Sequence, residues 1–447
     1  YEKLFPLVRE VADLAWPAMV QGLLTTVVFF TDRMLLGQYD GLALGSMQIS
    51  GPVLWSVFTV FGAFGAGTMA VVGRAIGAKD KDRARNTTIA VMILASSLGF
   101  LLAIGGWFSK GAIAIALGGA GEGSRAIRAL AETYMGISFL GAPLLMISIG
   151  GMTALQASGD TRTPAWITAL GGFLNLLVSW IFIYGRLGAP EMGVEGAAYG
   201  SLTAFAVHGI LCTAALFRKE GLIGDSWRIP DLIPSLKPVL SVSSAAFGER
   251  LIFHSGFLVF AALIGRLGDV AMATNQSLIA IESLGFILSS GFSIAGGALV
   301  AQKLGAEKPD DAEYCAWIST CMALIILIGV ALVFWFFPRP LLKLFSEDPA
   351  VIELGVDCLK LAALAQPLMA ITDTMGGALR GAGDTRNPMI ISFIGPLTLR
   401  IAACWFFAFE LEMGLIGIWW GTTLDWFVRA LLLSWVFMRG AWKSIRV

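Results

Sequence analysis

The sequence predicts a polytopic membrane protein of twelve α-helices arranged in two six-helix halves, and three observations predict it. Of the 447 residues, 57% are hydrophobic and only 14% charged, against roughly 25% charged in ordinary soluble domains. Twelve apolar runs approach or exceed the length of about 20 residues that a helix needs to cross a bilayer. Several motifs occur twice, separated by 221 to 228 residues.

The runs lie near 11–37, 47–78, 86–108, 126–155, 163–186, 193–217, 238–266, 271–304, 313–337, 349–381, 387–409 and 413–438. No connector between them is long enough for a separate soluble domain. The longest, RKEGLIGDSWRIPDLIPSLK at 218–237, reads as a cytoplasmic linker between a first lobe at 1–217 and a second at 238–447. An even number of spans puts both termini on one side. Lys and Arg outside the spans gather at the termini and in the loops after even-numbered spans, most densely in AKDKDRAR at 78–85, so the positive-inside rule predicts that both termini are cytoplasmic. The opening residues lack a cleavable signal pattern, so the first run is expected to remain in the mature protein. Compact loops favour a bacterial inner membrane.

The repeat is clearest where ALQASGDTRTP at 154–164 returns as ALRGAGDTRNP at 378–388, with seven of eleven positions identical. LLGQYDGLALGS at 35–46 pairs with LIGRLGDVAMAT at 263–274, GRAIGAKDKDRAR with AQKLGAEKPDDAE, and GVEGAAYG at 193–200 with GLIGIWWG at 414–421. Six spans per half is an even number, so the halves share one orientation and are related by an axis along the membrane normal. A cleft between two such lobes opens to either side by rocking.

Net charge is zero, with 31 basic and 31 acidic residues, and nothing points to nucleic acid or an acidic partner. Cys212, Cys315, Cys321, Cys358 and Cys404 lie in or beside apolar stretches without metal-ligand spacing and read as small apolar fillers, so no metal, cofactor or disulfide is expected. An intramembrane enzyme lacks parts, since there is no HExxH, no GxSxG and only two histidines, His208 and His254. A channel has no need of the duplication.

Charges at membrane depth are costly and mark function by default. Asp32 lies in span 1, Glu249 in span 7 and Asp373 in span 10. At 1.5 Å per residue Glu249 is roughly 17 Å from the start of its span and Asp373 about 12 Å from the same face, so the two carboxyls are expected to share a level. Two carboxyls in low dielectric suit a group that binds and releases a proton, and both ionised they suit Na+ or a cationic substrate. The bland alternative pairs Glu249 with Arg250 or His254. His254 is a candidate shuttle or a packed polar contact. Asp425 and Arg429 are expected to form an i,i+4 ion pair, while Glu282 and Arg400 are undecided. Trp55, Phe58, Trp405, Trp419 and Trp420 are candidates to line an apolar cleft or to sit in interfacial belts.

Taken together, these residues resemble the MATE family, the multidrug and toxic compound extrusion transporters, over essentially the whole chain. The carriers are Pro17 followed by FFTDRMLLG, the two GDTR-x-P segments, Asn175 in GGFLNLLVSW, GVEGAAYGS, and Glu249 and Asp373 in their settings. The resemblance implies two six-helix lobes about a V-shaped cleft, with H+ or Na+ influx driving efflux of amphipathic, often cationic organic molecules. No obligate protein partner is implied. It further implies that Asp32 is the first-lobe acidic residue with Asn175 as its companion, that Glu249 and Asp373 are the second-lobe pair of the NorM-type branch, and that Pro17 helps bend the first helix. Ser201 would be a hydroxyl companion. Ser179 stands where first-lobe-coupled members carry a second Asp, which moves the expected coupling site, for H+ or Na+, to Glu249 and Asp373. The rival reading is a flippase for a lipid-linked precursor, which needs a basic cavity and has Arg33, Arg250 and Arg400 to build one.

Overall fold

The computed structural model describes residues 4–117, 122–224 and 228–447, so part of the expected linker, 225–227, lies outside the described residues. The described residues are almost wholly helical and contain no strand. In order they form α1 Leu4–Tyr39, α2 Gly41–Phe61, α3 Phe64–Gly77, α4 Lys81–Leu117, α5 Glu122–Leu140, α6 Ala142–Ala157, α7 Arg162–Tyr184 and α8 Val194–Leu216. After the linker come α9 Leu232–Gly265, α10 Asp269–Gly305, α11 Pro309–Phe336, the short α12 Pro338–Lys343, α13 Pro349–Gly381, α14 Arg386–Glu410 and α15 Gly414–Met438. Among them ten spans are long and apolar enough to cross a membrane, α2 and α3 counting as one, and the pair α5 and α6, bent by 52°, makes an eleventh. The helix α15, 25 residues long with Asp425 and Arg429 in it, stands in the twelfth place.

Helix ends are written in the sequence. Asp40 and Asp348 accept the backbone N–H of Leu42 and Ala350, at 3.2 and 2.9 Å, and so start α2 and α13. The duplicated GDTR segments build one elbow twice. Gly159 and Gly383 adopt left-handed backbone (φ 94° and 89°), and the next Asp turns its carboxylate onto the N–H three residues on, Asp160 to Thr163 and Asp384 to Asn387. Lys79 and Glu307, both at φ 59°, mark a second repeated turn. Pro17 is buried inside an unbroken α1, which begins at Leu4, seven residues before the expected start of the span. The helix is continuous through Pro17.

Two bundles, α1–α8 and α9–α15, exchange arms. The first turns of α1 insert Leu7, Val11, Leu14 and Ala15 into a core with Phe292, Leu299 and Met369. Conversely, Val239 of α9 packs with Phe64, Val71 and Val91 of the first bundle. Hydrogen bonds across this seam gather toward the end carrying the termini. Arg74 donates to the carbonyls of Ile445 (2.6 Å) and Ala382 (2.8 Å), Gln302 to that of Ala157 (2.7 Å), and Ser243 to that of Phe64 (3.2 Å), while Lys303 pairs with Glu10 at 2.7 Å. Toward the other end of α1, Val27, Phe29, Phe30 and Met34 are exposed. The bundles are thus joined toward the terminal face.

At the joint, α3 and α10 cross at two glycines related by the repeat. A Cβ on Gly77 would strike the carbonyl of Gln302, and one on Gly305 the carbonyl of Arg74. Such backbone-to-backbone approach is how membrane helices associate without a hydrophobic drive. Gly77→Leu or Gly305→Leu is therefore expected to force the terminal face open. In a cysteine-free background, a cysteine at Ala157, which is fully buried beside Gln302, would then react faster with a membrane-impermeant maleimide than in the parent. Unchanged labelling would show that the crossing does not hold the bundles shut.

Candidate functional site

Buried carboxylates occur in both bundles, and their partners differ. In the first, Asp32 of α1 faces Asn175 and Ser179 of α7. Asn175 Nδ2 donates to Asp32 Oδ2 at 3.1 Å, and Ser179 Oγ donates to Asn175 Oδ1 at 3.0 Å. Asn175 and Ser179 are four residues apart and so lie on one helix face. Ser179 fixes the Asn175 amide, oxygen toward itself and NH2 toward the carboxylate. Asp32 Oδ1 has no donor. The sequence-predicted Asp32 and Asn175 are brought together, with Ser179 as the orienting group. Ser201 turns away from them to Tyr134 Oη at 3.2 Å, a partner that the sequence reading missed. Arg33 points away from Asp32, with its guanidinium 4.0 Å from the centre of the Phe29 ring.

In the second bundle the expected partner of Glu249 is corrected. Neither Arg250 nor His254 bonds it; Arg380, at the end of α13, does, with Nη1 to Oε1 at 3.0 Å, and Ser392 Oγ stands at 3.5 Å. His254 instead reaches across the seam, Nδ1 to Ser56 Oγ at 3.0 Å, with its ring edge-on to Trp55. Arg250 is exposed midway along α9. A guanidinium at that depth is tolerated against water far better than against lipid.

Asp373 keeps one oxygen without a donor, Oδ2, while its backbone carbonyl accepts from Ser293 Oγ at 2.8 Å. Arg380 lies back along α13 over Gly376 and acts electrostatically on Asp373 as well as bonding Glu249. The two carboxyls expected to share a level therefore have the Arg380 guanidinium as a common charged neighbour. Arg380 lies seven residues beyond Asp373, two helical turns away.

Glu249 and Arg380 stand where the repeat places Gln21 and Gln156, and those two also bond, Gln156 Nε2 to Gln21 Oε1 at 3.1 Å. One bundle ties its first and fourth spans with two amides, the other with an ion pair. Deeper inside the second bundle, Asp425 is fully buried and receives Arg429 (2.9 and 3.0 Å) and Arg400 (2.6 and 2.8 Å). The expected Asp425–Arg429 pair is present, and Arg400 joins it. Arg400 is flanked by two π-helical stretches, Phe393–Leu399 and Phe406–Glu410, the first containing Pro396. There the Thr398 hydroxyl donates to the carbonyl of Phe393 at 2.9 Å, and π-helical stretches often mark functional positions.

Of the aromatic candidates for the cleft, Trp419 is corrected to a core residue, packed among Leu278, Leu359 and Ile418. Phe58 packs on Phe139 and Phe205 inside the first bundle. Trp55 is half-exposed and also meets Phe257, and Trp405 and Trp420 are exposed. Four cysteines are buried as expected, whereas Cys321 is exposed.

The profile of the family described as MatE matches residues 17–181 and 245–406. A probable multidrug resistance protein NorM of Thermotoga maritima is 31% identical over 98% of this chain and 93% of its own length. The multidrug resistance protein PmpM of Pseudomonas aeruginosa is 26% identical over 98% and 92%. Among solved structures, an outward-facing multidrug resistance MATE family transporter superposes with a TM-score of 0.89 at 22% identity, covering 97% of this chain and 96% of that one.

The Glu249–Arg380 brace is testable by a double-mutant cycle in thermal unfolding. Glu249→Gln or Arg380→Gln alone leaves one charge unpaired and is expected to cost about 1–3 kcal/mol, less than the roughly 3–5 of a fully buried pair. The double variant recreates the amide pair of the other bundle and should return to within about 1 kcal/mol of the parent. Additive losses would mean that the two side chains do not act together.

Proposed function

This chain belongs to the MatE family of membrane transporters, and from that premise we propose that it is an antiporter exporting amphipathic, cationic organic molecules in exchange for H+ or Na+ by alternating access. One observation carries the coupling part of the proposal. Asp32 and Asp373 each keep a buried carboxylate oxygen without a donor inside a membrane bundle. A carboxylate left that way at membrane depth is costly, and proton or cation binding relieves the cost.

In this reading the lobes are 1–217 and 238–447, the termini are cytoplasmic, and the cleft opens outward to a bacterial periplasm or exterior. Ion binding at Asp32, held in place by Asn175 and Ser179, and at Asp373 weakens the hold on the cationic substrate and lets the lobes close outward and open inward. Glu249 takes part in coupling only when Arg380 leaves it, so its first role is as a brace. A tenfold ion gradient supplies about 1.4 kcal/mol and 100 mV about 2.3 kcal/mol per net charge moved. One H+ exchanged for one monovalent cation draws on the gradient alone. Flippase activity on a lipid-linked precursor has less support, because Arg400 is engaged by Asp425 and no longer counts toward a basic cavity.

The test is efflux of a fluorescent lipophilic cation from proteoliposomes under separately imposed H+ and Na+ gradients. One ion is expected to drive transport, and Asp32→Asn and Asp373→Asn each to slow it by at least about tenfold, as loss of an intramembrane functional carboxylate should. Rates unchanged in both variants would refute the site. No efflux of any cation by the parent protein would refute the function.

A further inference from the structure

The interface of α10 and α13 in the second bundle carries polar groups that neither the ion pairs nor the packing uses. Asn275, Glu282 and Ser289 follow one another along α10 at intervals of seven residues, on one face and about 10.5 Å apart. Asn275 Oδ1 and Glu282 Oε1 are buried and have no donor. The interval below Glu282 is filled from the neighbouring helix. A Cβ on Gly285 would fall on Gln366 Oε1, so the glycine lets this oxygen enter the column, and it too lacks a donor. Gln366 is fully buried and Asn275 is 4% exposed. Below them Ser289 approaches Asp373, whose Oδ2 is the fourth acceptor without a donor.

Buried acceptor oxygens are nearly always satisfied, and one left without a donor is expensive. Four in sequence along a single helix interface form a polar line in which the two carboxylates, Glu282 and Asp373, can take up a proton and the two amide oxygens can accept a hydrogen bond from water that carries it. The line begins six residues into α10, near the open end of the seam, and ends at Asp373. Its acceptors are strung out along the helix interface and not gathered about one point, which suits transfer of H+ and not the multi-oxygen coordination that a hard metal cation such as Na+ requires.

We propose that the α10–α13 interface is a proton path, running through Asn275, Glu282 and Gln366 to Asp373, in which Glu282 is the intermediate carrier. A proton passes from a hydrated donor to the carboxylate of Glu282, which becomes the neutral acid, and from there along water hydrogen-bonded at the Gln366 and Ser289 positions to the Asp373 carboxylate, which leaves Glu282 ionised again and involves no redox change. The path rests on the antiport reading and ends at its Asp373, whereas Asn275, Glu282 and Gln366 lie outside the site described above. Glu282 touches no substrate in this proposal; it carries the coupling ion.

The experiment compares the parent, Glu282→Gln, Glu282→Asp and Asn275→Leu in proteoliposomes holding a pH-sensitive dye, with a fluorescent lipophilic cation as substrate. Infrared difference spectra of the same purified proteins between acid and alkaline buffer form the second readout. Glu282→Gln is expected to bind the fluorescent cation like the parent but to lose proton-driven efflux by about a hundredfold, the low end for removing a proton-transferring side chain. It should also lose one pH-dependent carboxyl stretching band. Glu282→Asp should regain part of the rate, and Asn275→Leu should slow proton uptake with the Glu282 band intact. Parent-like efflux and an unchanged carboxyl band in Glu282→Gln would overturn the proposal, as would Na+-driven transport that depends on Glu282. If the parent itself couples no ion, the antiport reading fails, and the infrared band still decides whether Glu282 exchanges a proton.

Discussion

A charge in the middle of a membrane helix has three exits: an opposite charge, water, or a proton. Most of the inner architecture of this protein follows from which exit each side chain takes. Asp425 takes the first so completely that two arginines converge on it. Arg250, exposed along α9, has the second open to it. Asp32, Asp373 and Glu282 each keep one buried oxygen without a hydrogen-bond partner, which leaves the third open to them. The same helix bundle therefore contains charges fixed for good and charges free to change, separated by no more than a few turns.

The repeat makes this division visible because it supplies an internal comparison. Where the first bundle has Gln21 and Gln156, the second has Glu249 and Arg380. A neutral pair and an ionic pair do equivalent mechanical work at the same place in the fold, so the charge on Glu249 is not needed for the geometry. The bundles diverge more strongly in their interiors. One holds a single carboxylate set by an asparagine and a serine, and the other a dense network in which arginines neighbour every carboxyl. Duplication preserved the elbows and the crossing glycines while leaving the polar interiors to separate.

Span order, the repeat and the acidic residues were legible in the sequence because each depends on local composition or on self-similarity. Asp32 with Asn175 was legible through family resemblance, and Asp425 with Arg429 through helical spacing. What stayed hidden was every contact between residues far apart in the chain. Arg380 lies 131 residues from Glu249, and Tyr134 lies 67 from Ser201. A signal for the first did exist, since the repeat aligns Gln21 with Glu249 and Gln156 with Arg380, and a matched change at two aligned positions hints at contact. Trp419 was misplaced for a different reason. A tryptophan in an apolar run carries no mark of whether its face of the helix meets lipid, cleft or core, and only packing beside Leu278 and Leu359 settles that.

The exchanged arms have a consequence for how the chain is made. The first turns of α1 find apolar partners on α10, α11, α13 and α15, which the ribosome delivers some 280 residues later or more. The first half must therefore wait in the bilayer with Leu7, Val11 and Leu14 uncovered, and neither half carries within itself everything needed to finish its own packing. Biogenesis of this transporter is cooperative across the whole chain, and quality control that senses an unfinished first arm would in effect be inspecting the second half.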